Sequence, residues 1–412
     1  MFRVSLPRGW AALTLTGALT LGLTACGGSE SEGGDAKGPV KVGISLPLTG
    51  EASQPGQAAQ QGYKVWQKMV NESGGILGRD VKLVIKDDGS NQNTITADYN
   101  ALISQDKVDL LLGTFSSQLN AAASAVAEKN QMLFVEPAGG APELFQRGFK
   151  YLFFAQQATA DKQGKLFAEY LAGLPEDKRP KTAAYPTLDD PFASPAVAGV
   201  KKILEAAGIK TVYEKTYATD TKNFDSIVTA MKAADPDVVV HGAGFEDGVG
   251  MVRAMLKADL TPKWLYETTA PSLGKQYADG IGAENTEGIM FGISHAPTAK
   301  TPGNDEFVAK YKEMYDGAEP PEDAADAYAA GQVLQAAAEG VGSVDDQSAL
   351  ADWLRKNSVT TILGGLKWNK DGSPIGDFLV GQWQGDSVQY VLPEKSATSK
   401  MIQGWKPGGA GE

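Results

Sequence analysis

Two serines and a glutamine, Ser116, Ser117 and Gln118, follow an apolar run at residues 108–113 and precede an Ala-rich helical pattern. In an open parallel sheet, ligands bind beyond the carboxyl ends of the strands. A helix N-terminus there presents unpaired backbone N–H groups and a positive dipole end to an anion. The two hydroxyls add donors, so this segment is predicted to bind a carboxylate. The alternative is that one serine only caps the helix.

A second candidate is the loop that follows the next apolar run and contains Ala138, Gly139 and Gly140. Glycine lets the main chain approach a ligand closely, so backbone groups of this loop are candidates for ligand contacts. An ordinary Pro/Gly turn explains the same residues equally well.

The sequence offers no catalytic or metal-binding set. The serines lack the glycine spacing of a nucleophile elbow. The two histidines, His241 and His295, have no cysteine pair with which to form a zinc site. His241 ends an apolar strand pattern, so we expect a hydrogen-bonded core residue rather than a base. The sequence therefore predicts neither an enzyme nor a bound metal or cofactor.

Cys26 is the only cysteine, and it ends the segment Leu-Thr-Ala-Cys. Arg3, Arg8 and a short apolar stretch precede it, which is the layout of a secretory signal peptide. The small residues before the cysteine resemble the bacterial lipobox, in which the cysteine is lipidated and becomes the first mature residue. We expect residues 1–25 to be a lipoprotein signal peptide and residues 26–39 a flexible tether. The alternative is a plain signal peptide.

Composition restricts the partners of the remaining chain. The net charge of the chain is −12, and removal of residues 1–25, which carry two arginines and no acid, makes it −14. An acidic chain without a basic block argues against nucleic acid as a partner. With a single cysteine, no disulfide within the chain stabilises the fold.

Short apolar strand patterns alternate with amphipathic helical patterns from residue 40 onward, and this order predicts parallel sheets with right-handed crossovers. Ten strands are too many for one compact sheet, so we expect two α/β lobes in tandem. The predicted strands lie at residues 40–48, 81–87, 108–113, 132–135, 151–155, 182–185, 211–217, 238–241, 264–267 and 288–293.

The C-terminal part breaks this alternation. Residues 305–315, 324–339 and 347–357 are predicted to be three successive helices. Residues 360–368 and 378–383 are predicted to be two strands, with a turn at residues 369–372 between them.

Several segments together resemble the leucine/isoleucine/valine-binding family of ABC-transporter solute-binding proteins, with the type I periplasmic-binding fold. The segments are Ile-Ser-Leu-Pro-Leu-Thr-Gly at 44–50, Asn-Glu-Ser-Gly-Gly-Ile-Leu-Gly at 71–78, Ala-Pro-Glu-Leu at 141–144 and Gly-Gly-Leu-Lys-Trp at 364–368. The resemblance covers residues 40 to about 383. It implies two Rossmann-like lobes that are joined by three hinge crossings and that bind a ligand between them.

The resemblance also implies a set of ligand contacts. The carboxylate of the ligand meets a serine at Ser117 and backbone at Ala138, and an acid at Glu267 pairs with the ligand ammonium. Phe192 and Phe245 replace family tyrosines and keep the ring without the hydroxyl. Further departures are Gly140 for a family threonine and Pro55 for a tyrosine. The polar contacts are therefore fewer than in the family, which puts leucine itself in doubt as the ligand.

Residue chemistry supports a cationic group near the same positions. Glu267 ends a strand pattern where an acid would face the cleft, and Phe192 and Phe245 would add cation–π attraction. Asp189 and Asp190 are further candidates for a cationic ligand. The alternatives are a solvated loop acid for Glu267 and core packing for the two rings.

The predicted function is the extracytoplasmic binding component of an ABC importer, anchored through Cys26, monomeric and specific for an amino acid or a related compound. An amide, a urea-like compound, a small aromatic acid and a sensor ectodomain are the alternatives, and an enzyme is disfavoured. The predicted lobes comprise residues 40–157 with 296–374 and residues 158–295 with 375–412.

Overall fold

The computed structural model describes residues 38–409. The predicted signal peptide, Cys26 and all but the last two residues of the predicted tether therefore lie outside the described residues. None of the helices in residues 38–409 combines the length and the hydrophobicity that crossing a bilayer requires.

The described part of the chain contains fourteen strands. They are β1 (Val40–Leu46), β2 (Val81–Asp87), β3 (Leu110–Leu112), β4 (Phe134–Glu136), β5 (Leu152–Phe154), β6 (Thr182–Leu188), β7 (Lys210–Tyr217), β8 (Val238–His241), β9 (Trp264–Glu267), β10 (Met290–Ile293), β11 (Val359–Thr361), β12 (Gly364–Leu366), β13 (Leu379–Gln384) and β14 (Ser387–Leu392).

Eleven α-helices alternate with these strands or follow them within residues 38–409. They are α1 (Ser53–Glu72), α2 (Gln92–Ser104), α3 (Ser117–Lys129), α4 (Lys165–Gly173), α5 (Ala193–Ala206), α6 (Asp225–Ala234), α7 (Phe245–Lys257), α8 (Lys275–Ile281), α9 (Asn304–Met314), α10 (Glu322–Val341) and α11 (Gln347–Lys356).

Side-chain caps fix the starts of several helices. Asn91 accepts hydrogen bonds from the backbone N–H groups of Asn93 and Thr94 at the start of α2. The Asp346 carboxylate accepts from the Ala349 N–H in the same way at the start of α11. Such caps satisfy backbone donors that have no partner inside the helix, which is why these short polar residues occupy the helix starts.

The first sheet is fully parallel and has the order β2-β1-β3-β4-β5. Every residue of β3, β4 and β5 is buried, as in strands that helices cover on both faces. The second sheet has the order β14-β13-β10-β9-β8-β6-β7 and is parallel from β10 to β7. Strands β13 and β14 join it antiparallel. The predicted α/β fold with two parallel-dominated sheets is confirmed.

The chain passes between the two sheets three times: after β5, after β10 and before β13. Helices α9 and α10 follow β10 of the second sheet, yet their buried residues share one hydrophobic core with β1 and α1 of the first. The hairpin β11–β12 joins that core, and the Trp368 indole N–H donates to the Phe154 carbonyl oxygen 2.6 Å away. Ala296 and Ala299, predicted to lie in the first lobe, pack instead in a core of the second.

The C-terminal strands differ from the prediction in two ways. Residues 360–368 do not form one strand, because Gly364, at φ +96°, follows a tight turn that folds β11 and β12 into a separate two-stranded hairpin. Strand β14 was not predicted. It pairs with β13 across a turn at Gly385 and forms one edge of the second sheet.

Helices α1 and α10 approach so closely that glycine is required at the contact. A Cβ on Gly62 of α1 would overlap the Ala324 carbonyl oxygen of α10. Gly331 of α10 likewise leaves room for the indole ring of Trp66. Small residues at these two points therefore allow the returning chain to pack against the first sheet.

We expect Gly62→Ala to destabilise the protein by roughly 1–3 kcal/mol, because the added methyl group forces the two helices apart. In an open helix the same change normally stabilises, so the sign of the effect is diagnostic. Gly173→Ala at the end of α4, where an added Cβ meets nothing within 4 Å, is the matched control. Urea unfolding midpoints measure both variants, and equal midpoints for the two would contradict the close contact.

Candidate functional site

A cavity of about 400 Å³ lies where the carboxyl ends of strands from both sheets meet. Loops after β3 and β4 of the first sheet line it together with loops after β8 and β9 of the second. This is the position at which parallel α/β sheets bind ligands. The lining includes residues 115–118, Ala138, Phe192, residues 243–247 and residues 268–269.

Ser116 and Ser117 line this cavity at the start of α3. Ser116 has φ +73°, a conformation that residues other than glycine seldom adopt, and its Oγ accepts from the Leu119 N–H at 3.2 Å. The buried Ser117 Oγ accepts from the Ala141 N–H at 3.1 Å. Because both oxygens act as acceptors in these bonds, neither bond uses the hydroxyl proton of its serine. Gln118, which follows them, also lines the cavity.

The loop after β4 is organised from behind by Glu136. The Oε2 atom of this buried carboxyl accepts from the N–H groups of Ala138 and Gly139. Ala138 lines the cavity, but Gly139 and Gly140 are not part of its wall. Gly140 instead packs under the ring of Phe192, which a Cβ would approach to 2.8 Å. The glycines thus permit close packing within the loop, and we do not place them among the ligand contacts.

Phe192 and Phe245 bring the second lobe to the cavity wall. Phe192 directly precedes α5, and its N–H donates to the Asp190 carboxylate 2.8 Å away. Phe245 is the first residue of α7. Both rings are half-buried and line the cavity that Ser116 and Ser117 also line.

Glu267 does not lie in the cavity wall, so its predicted pairing with a ligand ammonium has no support in the structure. Successive strand side chains point to opposite faces, and Glu267 shares the face of Leu265, which packs in a hydrophobic core of the second lobe. The carboxyl is fully buried, with Oε1 2.8 Å from His241 Nδ1 and Oε2 accepting from the Tyr277 hydroxyl. Thr268 lines the cavity instead.

His241 is buried and hydrogen-bonded, as predicted. Its Nε2 atom lies 2.7 Å from the Tyr217 hydroxyl, which in turn contacts Asp247 Oδ2 at 2.5 Å. A continuous hydrogen-bonded chain therefore runs from Asp247 in the cavity wall through Tyr217 and His241 to the buried Glu267. These contacts position Asp247 and satisfy polar groups that burial would otherwise penalise.

The sequence prediction missed an acidic part of the cavity wall. Glu322, Asp323 and Asp326 lie at the start of α10 and line the cavity, although the helix packs against the first sheet. Acids in a first helical turn are common because the helix dipole favours them there. The signal in the sequence was therefore indistinguishable from ordinary helix capping.

The sequence matches a known protein family. The model of the family described as periplasmic binding protein matches residues 39–387. The chain belongs to this family.

Individual relatives carry more specific names. An amino acid binding protein of Pseudomonas aeruginosa is 26% identical over 362 residues, which cover 86% of this chain and 92% of the relative. Leu/Ile/Val-binding protein homolog 8 of Brucella abortus is 27% identical over 380 residues, 88% of this chain and 92% of the relative.

Solved structures share the fold at lower identity. The leucine-binding protein LivK of Thermotoga maritima is 22% identical with a TM-score of 0.75, covering 86% of this chain and 99% of its own. A solute-binding protein of R. palustris, solved in complex with benzoate, is 21% identical with a TM-score of 0.74. The match covers 90% of this chain and 100% of that protein's chain.

Glu136 is expected to make stability depend on pH. Burial raises the pKa of its carboxyl to about 8, from about 4.5 in the unfolded chain. Between these values the unfolded chain loses the proton and the folded chain keeps it, so stability falls as pH rises from about 4.5 to 8. The Gln side chain of Glu136→Gln cannot ionise, so the free energy of unfolding of this variant should lack this dependence on pH. The slopes of the two proteins should differ by up to roughly 1.4 kcal/mol per pH unit.

Urea unfolding at pH 5.5, 6.5 and 7.5 measures this effect. Glu143→Gln, which removes an exposed carboxyl from the 3-10 turn that follows the same loop, is the control and should retain the wild-type slope. Parallel pH profiles for wild type and Glu136→Gln would show that the carboxyl is ionised in the folded protein.

Proposed function

We propose that this protein is the extracytoplasmic substrate-binding component of an ABC importer. In this proposal it captures an amino acid or an amino-acid-like compound between its two lobes and delivers it to a membrane permease. The observation that carries the proposal is the single cavity wall built from both lobes, with Ser116 and Ser117 on one side and Phe192 and Phe245 on the other. Family membership and the names of the amino-acid-binding relatives support it.

Ligand capture is proposed to close the lobes. The three passages of the chain between the sheets are the proposed hinge, and the lobes are those predicted from the sequence except that Ala296 and Ala299 belong to the second lobe. A ligand that touches both walls gains contacts only in the closed form, so its binding energy favours closure. The serine hydroxyls and the N-terminus of α3 hold a ligand carboxylate, and the phenylalanine rings cover the apolar part of the ligand.

We propose binding without chemical turnover of the ligand. The serine oxygens accept hydrogen bonds from backbone N–H groups, and His241, the candidate base, is buried in contact with Tyr217 and Glu267 rather than with a serine. A nucleophile and its base must lie within hydrogen-bond reach of each other.

A small aromatic acid is the second ligand candidate. Six phenylalanines line the cavity, and aromatic rings favour offset or edge contacts with a ring of the ligand. The benzoate complex of the R. palustris protein, which shares this fold, supports the same class. The six are Phe115, Phe154, Phe192, Phe224, Phe245 and Phe378.

Thermal shift of the full chain, purified in mild detergent, tests the proposed function. The panel contains amino acids, amides, diamines and aromatic acids, because a ligand that binds only the folded state raises its melting temperature. Ser117→Ala should lower the affinity for a carboxylate-bearing ligand by roughly tenfold, since a charge-assisted hydrogen bond is lost. Ser104→Ala, whose hydroxyl bonds the Asn100 carbonyl on exposed α2, is the control.

The proposal is supported if one chemical class of ligand raises the melting temperature of the wild type and of Ser104→Ala, and raises that of Ser117→Ala by less. The absence of any shift, together with no small molecule released on denaturation and detected by mass spectrometry, contradicts it. Conversion of the bound compound into a product would assign the protein to the enzymes instead.

The proposal includes export and anchoring through lipid on Cys26. We expect wild-type protein to fractionate with membranes and to incorporate radiolabelled palmitate, and we expect Cys26→Ser to do neither. Two or more acyl chains are needed for stable anchoring, so loss of the lipid should release the protein. Membrane fractionation of both forms measures this, and equal palmitate labelling of Cys26→Ser would exclude Cys26 as the lipidated residue.

A further inference from the structure

A hydrogen-bonded chain of five side chains leads from the cavity wall into the core of the second lobe. Asp247 Oδ2 lies 2.5 Å from the Tyr217 hydroxyl oxygen, which lies 2.7 Å from His241 Nε2. His241 Nδ1 lies 2.8 Å from Glu267 Oε1, and Glu267 Oε2 contacts the Tyr277 hydroxyl. Asp247 is half-buried and lines the cavity, whereas the other four side chains are buried. These five residues form the Asp247 chain.

The fold brings the members of this chain together at the ends of strands. Tyr217, His241 and Glu267 are the last residues of β7, β8 and β9, and Asp247 and Tyr277 reach them from α7 and α8. The carboxyl ends of the parallel strands in this sheet face the cavity, so the chain begins where a ligand would bind and ends in the interior.

The Asp247 chain contains four contacts, and each contact needs one proton between its two polar atoms. Oxygen and nitrogen atoms this close repel each other unless one of them donates. With both carboxyls ionised and the imidazole neutral, the chain supplies three protons: one from each tyrosine and one from the imidazole. The four contacts therefore require one further proton. This count is the same for either tautomer of His241.

Both tyrosines keep their protons, so the missing one cannot be avoided. Burial and the nearby Asp247 raise the pKa of Tyr217, and burial and the nearby Glu267 raise the pKa of Tyr277. The Tyr217 hydroxyl also lies 3.3 Å from the Gly242 carbonyl oxygen. A carbonyl oxygen cannot donate, so including this longer contact would only increase the number of protons that the chain requires.

His241 is the strongest base among the three groups that can hold the further proton. In water an imidazole binds a proton with a pKa of about 6.5, against about 4 for a carboxylate. A protonated His241 would contact Glu267 directly and Asp247 through Tyr217, so its buried positive charge would be paired. A proton on Asp247 would instead leave the fully buried Glu267 carboxylate without a positive partner.

The other charged groups near Asp247 belong to the cavity wall. Burial, followed by the charge of Asp247, raises the pKa of Asp190. Lys222 pairs with Glu246 at 3.1 Å, and this pairing raises its pKa more than Asp247 does. Within residues 38–409, no lysine or arginine forms an ion pair with Asp247 or Glu267. The imidazole is therefore the positive group that can balance them.

We propose that the Asp247 chain holds one proton beyond those of its tyrosines and a neutral imidazole, that this proton rests on His241, and that it tethers an ionised Asp247 in the cavity wall. Loss of this proton at higher pH leaves three protons for four contacts. Asp247 is the end that releases, because its carboxylate reaches water in the cavity and the buried His241 Nε2 does not.

The Asp247 chain thus makes one side of the cavity sensitive to pH. Tyr217 and His241 act as positioning residues, since they set the orientation of Asp247 from behind the wall. Loss of the proton also adds one net negative charge beside the cavity, which disfavours an anionic ligand group there. This inference concerns the protein without ligand and goes beyond the proposed function.

Nitrogen NMR of the untagged full chain in mild detergent, labelled at histidine, tests the proposal. The chain has two histidines, and burial lowers the pKa of His295 to about 4, so His295 remains neutral at pH 7 and serves as the reference. At pH 7 the wild type should show one imidazole with protons on both nitrogens and one neutral imidazole. Where a pH series removes the second proton of His241, the amide signals of Asp247 and Gly248 should shift with the same midpoint.

Asp247→Asn separates the further proton from a merely structural role. The amide N–H of the new side chain can donate to the Tyr217 oxygen, so all four contacts are satisfied without a further proton. His241 should then lose its second proton at pH 7 and keep the one on Nδ1. Tyr217→Phe removes two of the contacts and should also give a neutral His241.

Glu214→Gln is the matched control, because it removes an exposed carboxyl from the same strand as Tyr217 and leaves the Asp247 chain intact. This variant should keep both protons on His241 at pH 7. Circular dichroism verifies that each variant is folded before its spectrum is compared.

Two results would overturn the proposal. One is a neutral His241 in the wild type at pH 7, and the other is a doubly protonated His241 in Asp247→Asn, which would show that the proton does not depend on the contact with Asp247. Amide signals of Asp247 and Gly248 that do not follow His241 would overturn the tether. Since no ligand is added, these results do not depend on whether the thermal-shift panel supports the proposed function.

Discussion

The contact between α1 and α10 is the constraint on which the cavity depends. Gly62 faces the Ala324 carbonyl oxygen, one residue along the chain from Asp323. Because this contact fixes the first turn of α10 against the first sheet, it also fixes the acidic part of the cavity wall relative to the loops that follow β3 and β4. A chain segment that leaves the second sheet thus completes a site at the edge of the first. The same return of the chain gives the protein three passages between its sheets, and in the proposed function these passages are the hinge.

Three buried carboxyls near the cavity illustrate different ways of offsetting the cost of desolvation. Glu136 uses one oxygen to hold two backbone N–H groups and organises the Ala138 loop. Glu267 contacts the His241 imidazole and the Tyr277 hydroxyl and belongs to the interior of the second lobe. Asp323, like Glu136, has one oxygen without a hydrogen-bond partner in the described chain. In both carboxyls burial raises the pKa, which favours the neutral form in the interior.

The alternation of strands and helices could be predicted because continuous apolar runs such as residues 238–240 leave few other structures open. The run at residues 238–240 predicted β8 correctly. The predicted junction between a strand and a helix at Ser116 lies in the wall of the cavity. Face direction could not be predicted at Glu267: a residue at the end of a strand points into the cavity or into the core according to strand parity and lobe packing. Asp323 was missed because its position depends on the return of α10 to the first sheet, a contact between residues more than 250 positions apart in the sequence.

The two walls of the cavity differ in the chemistry that they present. The first turn of α3 presents hydroxyl and backbone N–H groups, which are donors, whereas the first turn of α10 presents the carboxyl groups of Glu322 and Asp323. Both turns are helix N-termini, whose dipoles favour anions. In the proposed function that preference is available to a ligand at α3, whereas at α10 the protein's own carboxyls already occupy it. Under the proposed function, a ligand that carries a carboxylate is therefore expected to place it at α3 rather than at α10.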